Sequence, residues 1–420
     1  MRLSRCIGIV SPMHAADLLL EQLPVNSRRL RVALVTETYP PEINGVAMTI
    51  GQIVAALQKR DHQVQLIRPR QGNEPLPEAG ANLEQVLRPG IPIPNYSGLN
   101  IGLPAKRLLS KLWTLRRPDV VHIATEGPLG WSALAAANKL RIPVLAGFHT
   151  NFHSYSSHYG FSWLKKPIYA YLRKFHNQAR LTLVPTHKLR EELSRAGYRN
   201  VEILARGVDN QLFTPERRSP ELRRAWGVGD DGLAVTYVGR IAPEKNLGLL
   251  IRAFEAIERL RPGARLVLVG DGPELAQLRA AHPRFVFCGP RSGEDLAQHY
   301  ASSDAFLFPS ITETFGNVLL EAMASGLAVL GYDYAAAAEF VRHGENGLKV
   351  GFDDEAAFIR EAEWLAAHPA VLATLGAQAR DTVLSISWEE IFHRLEGFYL
   401  RVVSEQEAAQ EASLRKLGFN

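Results

Sequence analysis

LRVALVTET (residues 30–38), GVAMTIGQIVAALQKR (45–60) and HQVQLIRP (62–69) decide the fold. The first is a near-continuous apolar run, as expected of a strand covered on both faces. The second carries its apolar residues at helical spacing, and the third returns to strand character. Strand, helix and strand in that order make a βαβ unit. Further strands follow in PDVVHIA (118–124), IPVLAGFH (142–149) and LTLVPT (181–186), with amphipathic helical stretches between them. The whole predicts a parallel sheet with helices on both faces, ending near Arg206.

A second series begins at LAVTYVG (233–239) and continues through ARLVLVG (264–270), RFVFCG (284–289), AFLFPS (305–310) and LAVLGYD (327–333). Each run precedes a plausible helix, so a second parallel sheet is expected. The stretch RGVDNQLFTPERR (206–218) has no clear period and contains Gly, Asn and Pro, the mark of a linker. A chain of 420 residues also exceeds what one core usually organises. The expected division is an extension over 1–29, a first Rossmann-like domain over 30–206, a linker over 207–215 and a second Rossmann-like domain over 216–385. A helix over 386–404 would cross back to the first domain, and 405–420 would form a tail. Met13 offers an alternative start within the extension. Two α/β domains with facing parallel sheets create one cleft, because ligands of open sheets bind beyond the carboxyl ends of the strands.

Composition excludes several classes. Hydrophobic residues make up 46% and charged residues 22%, with no fixed-period repeat or low-complexity tract, which is the balance of a globular enzyme. The two cysteines, Cys6 and Cys288, have neither metal-ligand nor redox spacing and suggest a reducing compartment. The apolar patches before the first strand are too short to span a bilayer, and no small-residue cleavage site follows them. Charge is uneven: residues 1–210 carry +13 and residues 211–420 carry −8 of the net +5. A positive half is drawn to phosphate-bearing surfaces such as anionic lipid.

The strongest chemical signal is ETFGNVLLEAMASG (313–326). Glu313 falls in the loop after a strand, where it would face sugar hydroxyls, and Glu321 falls inside the next helix, where it would accept from ribose hydroxyls. The free amides around Gly316, Asn317 and Val318 open that helix and suit a phosphate. A lone Glu on a helix is ordinarily just solvated, but YVGRIAPEKN (237–246) adds Arg240 and Lys245 in the turn after the first strand of the second series. A guanidinium fork and a flexible ammonium together neutralise a leaving diphosphate. The bland alternative is a solvated turn in which Glu244 pairs with Lys245.

In ETYPPEINGVAMT (37–49), Gly45 stands just before a helix, where a missing side chain lets a phosphate or sugar approach the backbone. His149, with Thr150 and Asn151, lies at the carboxyl end of its strand and faces the expected cleft, whereas His122 reads as a buried strand-end histidine. There is no G-x-G-x-x-G, P-loop or G-x-S-x-G signature, which disfavours a dehydrogenase, a P-loop NTPase and an α/β-hydrolase. Nor is there a D-x-D pair, so a diphosphate would meet cations and helix amides rather than a divalent metal.

Taken together, TETYPPEINGV (36–46), PDVVHIATEGPLG (118–130), FHTNF (148–152), RGVDNQLFTP (206–215), YVGRIAPEKN, VGDGPE (269–274), the Glu313 and Glu321 pair and HGENGL (343–348) resemble glycosyltransferase family 4. The resemblance spans about Leu30 to Val403 and implies the GT-B fold, retention of anomeric configuration and a nucleotide-diphosphate sugar as donor, with no cofactor or metal. The opening RVALVTETYPPEINGVAMTI and HTNFHSYSSHYG (149–160) look most like bacterial GDP-mannose-dependent α-mannosyltransferases acting on glycolipids. It further implies that Glu321 holds the ribose, that Glu313 with Phe315 and Gly316 contacts the sugar, and that Arg240 and Lys245 bind the diphosphate. Gly45 and His149 then correspond to donor-site residues of the first domain. The expected mechanism is front-face attack, with the leaving phosphate taking the acceptor's proton. A UDP-sugar donor, a non-catalytic nucleotide-sugar-binding protein and an epimerase of the same fold are the alternatives. The FCGP turn (287–290) is expected near the base without revealing which base.

The acceptor side rests on two basic stretches. PAKRLLSKLWTLRRPD (104–119) places Leu108, Leu109, Leu112 and Leu115 at core-like spacing among Lys106, Arg107, Lys111, Arg116 and Arg117. FSWLKKPIYAYLRKFHNQAR (161–180) mixes Phe161, Trp163, Tyr169, Tyr171 and Phe175 with Lys165, Lys166, Arg173, Lys174 and Arg180, as an interfacial helix would. A packed surface helix and a core role for the aromatics are the competing explanations. The expected partners are a nucleotide sugar, a lipid or lipid-linked acceptor and an anionic membrane surface. No nucleic-acid motif accompanies the charge. A cytoplasmic, peripheral location at the inner face of the cell membrane follows as an expectation.

Overall fold

The computed structural model describes residues 28–42, 44–72, 74, 80–92, 100–149, 165–229 and 232–416, and only the backbone of Lys165. Residues 1–27 of the expected extension, with Met13, therefore lie outside the described residues, as do Thr150, Asn151, Phe161 and Trp163.

The first sheet has seven strands, all parallel: β1 (Arg31–Val35), β2 (Gln63–Pro69), β3 (Leu83–Arg88), β6 (Val120–Ile123), β7 (Val144–Gly147), β8 (Leu181–Val184) and β9 (Val201–Ile203). Their order is β3-β2-β1-β6-β7-β8-β9, with an antiparallel pair, β4 (Gly90–Pro92) and β5 (Asn100–Gly102), set apart from it. The second sheet runs β12 (Val286–Gly289), β11 (Arg265–Val269), β10 (Ala234–Val238), β13 (Ala305–Phe308), β14 (Ala328–Tyr332) and β15 (Leu348–Val350), again all parallel. In each sheet the order reverses beside the first strand, between β1 and β6 and between β10 and β13. Crossovers leave on opposite faces at such a point, so a crevice opens beyond the strand ends.

The near-continuous apolar runs are explained by two-sided burial. Val32 and Leu34 face one core with Ile50, Ile53 and Leu57 of the helix Gly45–Lys59. Ala33 and Val35 face the other with Leu109, Trp113, Leu129 and Ala133. The second sheet repeats this, with Val235 and Tyr237 against Leu250 and Phe254 on one side and Ala234 and Val238 against Leu319 and Met323 on the other.

The last helix, Trp388–Lys416, packs on the first domain, burying Phe392, Leu395, Phe398, Tyr399, Val402 and Val403 in the core of Val32 and Leu34. At roughly 1.5–3 kcal/mol for each fully buried large apolar side chain, this crossing is a principal tie between the halves of the chain. It does not give way to a tail at 405: the helix continues through EQEAAQEASLRK to Lys416. Ala, Glu and Gln are strong helix formers, and Glu405 and Glu407 reach Arg180 at 2.9 Å and Arg28 at 2.6 Å.

Chain passes between the domains twice, side by side. Val208 N–H donates to Ile386 O at 3.0 Å, and a Cβ added at Gly207 would lie 2.5 Å from the Trp388 nitrogen. Only glycine admits that approach.

The helix Lys106–Leu115 corrects the stripe expected for it. Leu109 and Trp113 are the buried residues, Leu112 packs partly, and Leu108 and Leu115 are exposed by 42% and 75%. The indole N–H of Trp113 donates to Gln65 at 2.8 Å, so the large ring takes the core site that the leucine pattern assigned to a neighbour. On the helix Lys165–His176, Phe175 is fully buried while Tyr169 and Tyr171 are exposed, which splits the aromatic set between core and surface.

Candidate active site

The chemistry-bearing residues of the second domain leave the two strands that flank its switch point. Arg240 and Lys245 follow β10, and Glu313 follows β13. Thr312 Oγ1 donates to Glu244 O at 3.1 Å, tying the two loops together. Lys245 Nζ then donates to Glu313 Oε1 in a close ion pair, and Ser310 Oγ donates to the same oxygen at 2.7 Å. Glu313 is largely buried, which by itself would push its pKa up. The Lys245 charge and hydrogen bond, the Ser310 hydroxyl and the Arg206 charge outweigh burial and hold the carboxyl below its usual range.

The expected alternative for this turn takes another form. Glu244 pairs with Arg240, at 3.1 Å, and not with Lys245. The turn Pro243–Lys245 tucks the Glu244 side chain inward to 3% exposure and leaves Lys245 to reach across to the β13 loop.

Gly316 caps the helix Asn317–Ala324 in the left-handed region, with φ of 91°. A Cβ there would also approach the Phe308 ring to 3.0 Å, so glycine is required on both counts. The first free amides of the helix belong to Asn317 and Val318, and no side chain caps them. Phe315 is buried beneath, its carbonyl held by the Ala336 amide at 2.8 Å. Glu321 lies one turn in and accepts from the Tyr300 hydroxyl at 3.0 Å. Burial pushes its carboxyl up to about 7, with the Tyr300 hydrogen bond pulling the other way.

On the first-domain side, Gly45 does not precede the helix but is its first residue. Asn44 is the cap, accepting from Val46 N at 3.1 Å and Ala47 N at 2.8 Å. His149 stands at the end of β7, and its carbonyl accepts from Thr314 Oγ1 at 3.0 Å, a direct bridge between the domains beside Glu313. Its ring turns toward the linker: Arg206 Nη2 donates to Nδ1 at 3.2 Å, and Nε2 sits against Gly147, where a Cβ would fall 2.4 Å away. Burial, then the Arg206 charge, then His122 and His176, hold the imidazole well below its usual pKa, so it is neutral. His122 is buried as expected, its Nδ1 2.7 Å from the Tyr399 hydroxyl.

Two residues escaped the sequence reading. Arg206 is 5% exposed and donates from Nη1 to Gly45 O at 3.0 Å and to Thr49 Oγ1 at 2.8 Å, and its guanidinium lies over the Phe315 ring at 5.9 Å. Its place in RGVDNQLFTP was visible, but its role depends on where the linker runs. Glu37, after β1, is the other. Its carboxylate accepts from Gly102 N and from Leu129 N, the latter at 3.2 Å, at the start of the helix Pro128–Lys139. Burial raises it to about 7 against the pull of the Gly102, Leu129 and Gly130 amides. The helix N-terminus that would hold an anion at the first switch point is thus filled by the chain's own carboxylate. The free helix amides of the site are those at Asn317 and Val318 in the second domain.

The carboxyl ends of the two sheets face each other. Besides Thr314 and His149, His187 Nδ1 lies 2.7 Å from Glu339 and Lys188 sits over the Tyr334 ring at 5.9 Å. Among the described residues no group of three or more His, Cys, Asp or Glu is placed to hold a metal ion, and no helix is long and apolar enough to cross a membrane.

Two Rossmann-like domains meeting at their switch points across a hinge define the GT-B glycosyltransferases. HepE of Anabaena, solved in complex with UDP, superposes with a TM-score of 0.69 at 19% identity, over 88% of this chain and 99% of its own. Residues 43–212 match the family described as Glycosyltransferase Family 4, and residues 232–368 match Glycosyl transferases group 1. The chain belongs to glycosyltransferase family 4. It is 34% identical to a GDP-mannose-dependent alpha-mannosyltransferase of Mycobacterium tuberculosis, over 88% of this chain and 96% of that protein. It is also 28% identical to an alpha-monoglucosyldiacylglycerol synthase of Acholeplasma laidlawii, over 90% of this chain and 98% of that protein.

Proposed function

We propose that this glycosyltransferase moves mannose from GDP-mannose, with retention of configuration and without a metal ion, onto a lipid or lipid-linked acceptor at an anionic membrane surface. The observation that carries the reading is the Lys245 and Glu313 ion pair beside Arg240, in a chain 34% identical over most of its length to a GDP-mannose-dependent mannosyltransferase. An incoming diphosphate competes for Lys245 and Arg240. Glu313, released from the ammonium, is then a charged acceptor for hydroxyls of the sugar, and Glu321 takes the ribose hydroxyls. Charge on the diphosphate grows as the glycosidic bond breaks, so fixed cations and the amides at Asn317 and Val318 stabilise the transition state more than the ground state. The acceptor attacks from the face the diphosphate leaves, and a phosphate oxygen takes its proton.

A lipid acceptor at the inner face of the cell membrane is supported by the positive first half and by the glycolipid product named for the Acholeplasma relative. The UDP bound in HepE favours a UDP-sugar donor as a second reading. The test is transfer from a panel of GDP- and UDP-sugars to diacylglycerol, phosphatidylinositol and soluble sugars, with NMR assignment of the product anomer. Mannose transfer from GDP-mannose to a lipid with an α-linkage is expected. Turnover of UDP-sugars alone would establish the second reading.

A further inference from the structure

A single buried guanidinium gathers four parts of the site. Arg206 touches Gly45 and Thr49 in the first turns of the helix Gly45–Lys59, the ring of His149 after β7, and the ring of Phe315 in the Glu313 loop. Its own position is set by the linker, because Gly207 is packed directly on the backbone of Trp388. No carboxylate forms an ion pair with it among the described residues. Glu313 acts on it only through its charge, tempering the drop to about 10 that burial imposes on its pKa. A buried cation held by a carbonyl, a hydroxyl and an imidazole is costly unless its geometry serves something.

We propose that Arg206 is a positioning residue for the transfer reaction: its fork fixes the His149 ring in the neutral Nε2–H tautomer, in place against the first turn of the helix Gly45–Lys59. The proposal rests on the transferase reading above. A guanidinium has donors and no acceptor, so the nitrogen it contacts, Nδ1, must carry the lone pair and Nε2 the proton. A protonated His149 has no lone pair to offer and would set two cations against each other. The same guanidinium holds Gly45 O, so the two first-domain residues expected at the donor are registered to one another. Phe315 stacks on its open face, and domain closure brings the Glu313 loop onto a His149 already set. The other charged or titratable groups around this ring are His122, bound to Tyr399, and His176, bound to Glu126. Neither touches Nδ1. Gly147 supplies the complementary condition, since the ring fits only where no Cβ stands.

The test uses the full chain with ¹⁵N-labelled histidine, His149 being assigned through a His149→Ala variant. Wild type should show Nδ1 unprotonated and Nε2 protonated, with no titration between about pH 5 and 8. Arg206→Met, with folding checked by its melting curve, should leave the ring neutral through burial but mix its two tautomers, because nothing then holds the lone pair on Nδ1. Its kcat with GDP-mannose should fall about tenfold to a hundredfold, with KM changed far less. Arg206→Lys keeps the charge but loses the fork, so the tautomer should become mixed while titration stays suppressed. Gly147→Ala leaves Arg206 in place and displaces the ring, and should lower kcat comparably; this variant and Arg206→Lys carry the test if Arg206→Met does not fold. An unchanged tautomer in every folded Arg206 variant, or unchanged kcat in them and in Gly147→Ala, overturns the proposal. A wild-type tautomer that the variants lose, in a protein that turns over no nucleotide sugar, would uphold the positioning and defeat the transferase reading, because the NMR readout needs no activity.

Discussion

The Lys245 ammonium donates a hydrogen bond to the Glu313 carboxylate across the gap between the ends of β10 and β13. The two residues are 68 positions apart, and their contact joins the loops that follow the two strands at the switch point. Lys245→Met should therefore act twice. It leaves Glu313 buried with Ser310 but without its cation, costing about 3 kcal/mol, the lower end for a broken buried pair. It also removes a cation proposed to bind the diphosphate, so kcat should fall about a hundredfold with a smaller effect on KM. Adding Glu313→Gln should restore melting temperature but not turnover. Recovery of both would show that the pair is structural only.

Donor affinity should depend on pH through Glu321. Its carboxyl is raised to about 7, and the ribose hydroxyls proposed to bind there would donate to the ionised form. As pH falls below 7 the protonated fraction grows and GDP affinity should weaken, approaching about tenfold per pH unit. The same shift means that folding stability contributed by Glu321 declines as pH rises from its ordinary 4.5 through 7, since the unfolded chain ionises first. Glu321→Gln should flatten both profiles, measurable by calorimetry of GDP binding and by melts at several pH values.

Activity should persist in excess EDTA if, as proposed, Arg240, Lys245 and the amides at Asn317 and Val318 meet the diphosphate charge. A loss restored by Mg²⁺ or Mn²⁺ would refute metal independence.

Gly207→Val should destabilise the protein by about 1–3 kcal/mol, since its Cβ would fall 2.5 Å from the Trp388 nitrogen and force the two crossings apart. Kinetics should report altered closure as a joint change in kcat and KM. A melting temperature equal to that of wild type would mean that the crossings separate freely.

Membrane binding should be electrostatic and should use the first domain. Leu108 and Leu115 are exposed on a helix bearing Lys106, Arg107 and Lys111, and Tyr169 and Tyr171 are exposed beside Lys166 and Lys174. Sedimentation with anionic liposomes should fall at high salt and on replacing Lys165, Lys166, Arg173 and Lys174 by Glu. Absence of binding at low salt would favour a soluble acceptor.

The central strands β1, β2, β6, β7 and β8 and the inner strands β10, β11, β13 and β14 were legible as apolar runs because both of their faces are buried. β12 was read too, but the edge strands β3, β9 and β15 were not. Val201–Ile203 and Leu348–Val350 span three residues each, and Leu83–Arg88 is only partly buried, so none leaves a pattern that local reading can separate from loop. The stripe expected on Lys106–Leu115 failed for a related reason. Helical spacing permits Leu108 or Leu109 to face the core, and the choice fell to the Trp113 ring and its partner Gln65.

The sequence by itself determined the two parallel sheets, the crossing helix and the residue types of the candidate site, because alternation of apolar runs and the composition of short loops are local properties of the chain. Which charges meet was decided only in three dimensions. Glu244 stands beside both Arg240 and Lys245 in the sequence, and the inward tuck of one turn gives it to Arg240. Lys245 thereby falls to Glu313, Glu37 occupies the first helix N-terminus, and Arg206 is carried by the linker to His149. An ion pair or a buried hydrogen bond depends on distances of a few ångströms between segments far apart in the chain, and those distances exist only once both domains have folded and the last helix has crossed between them.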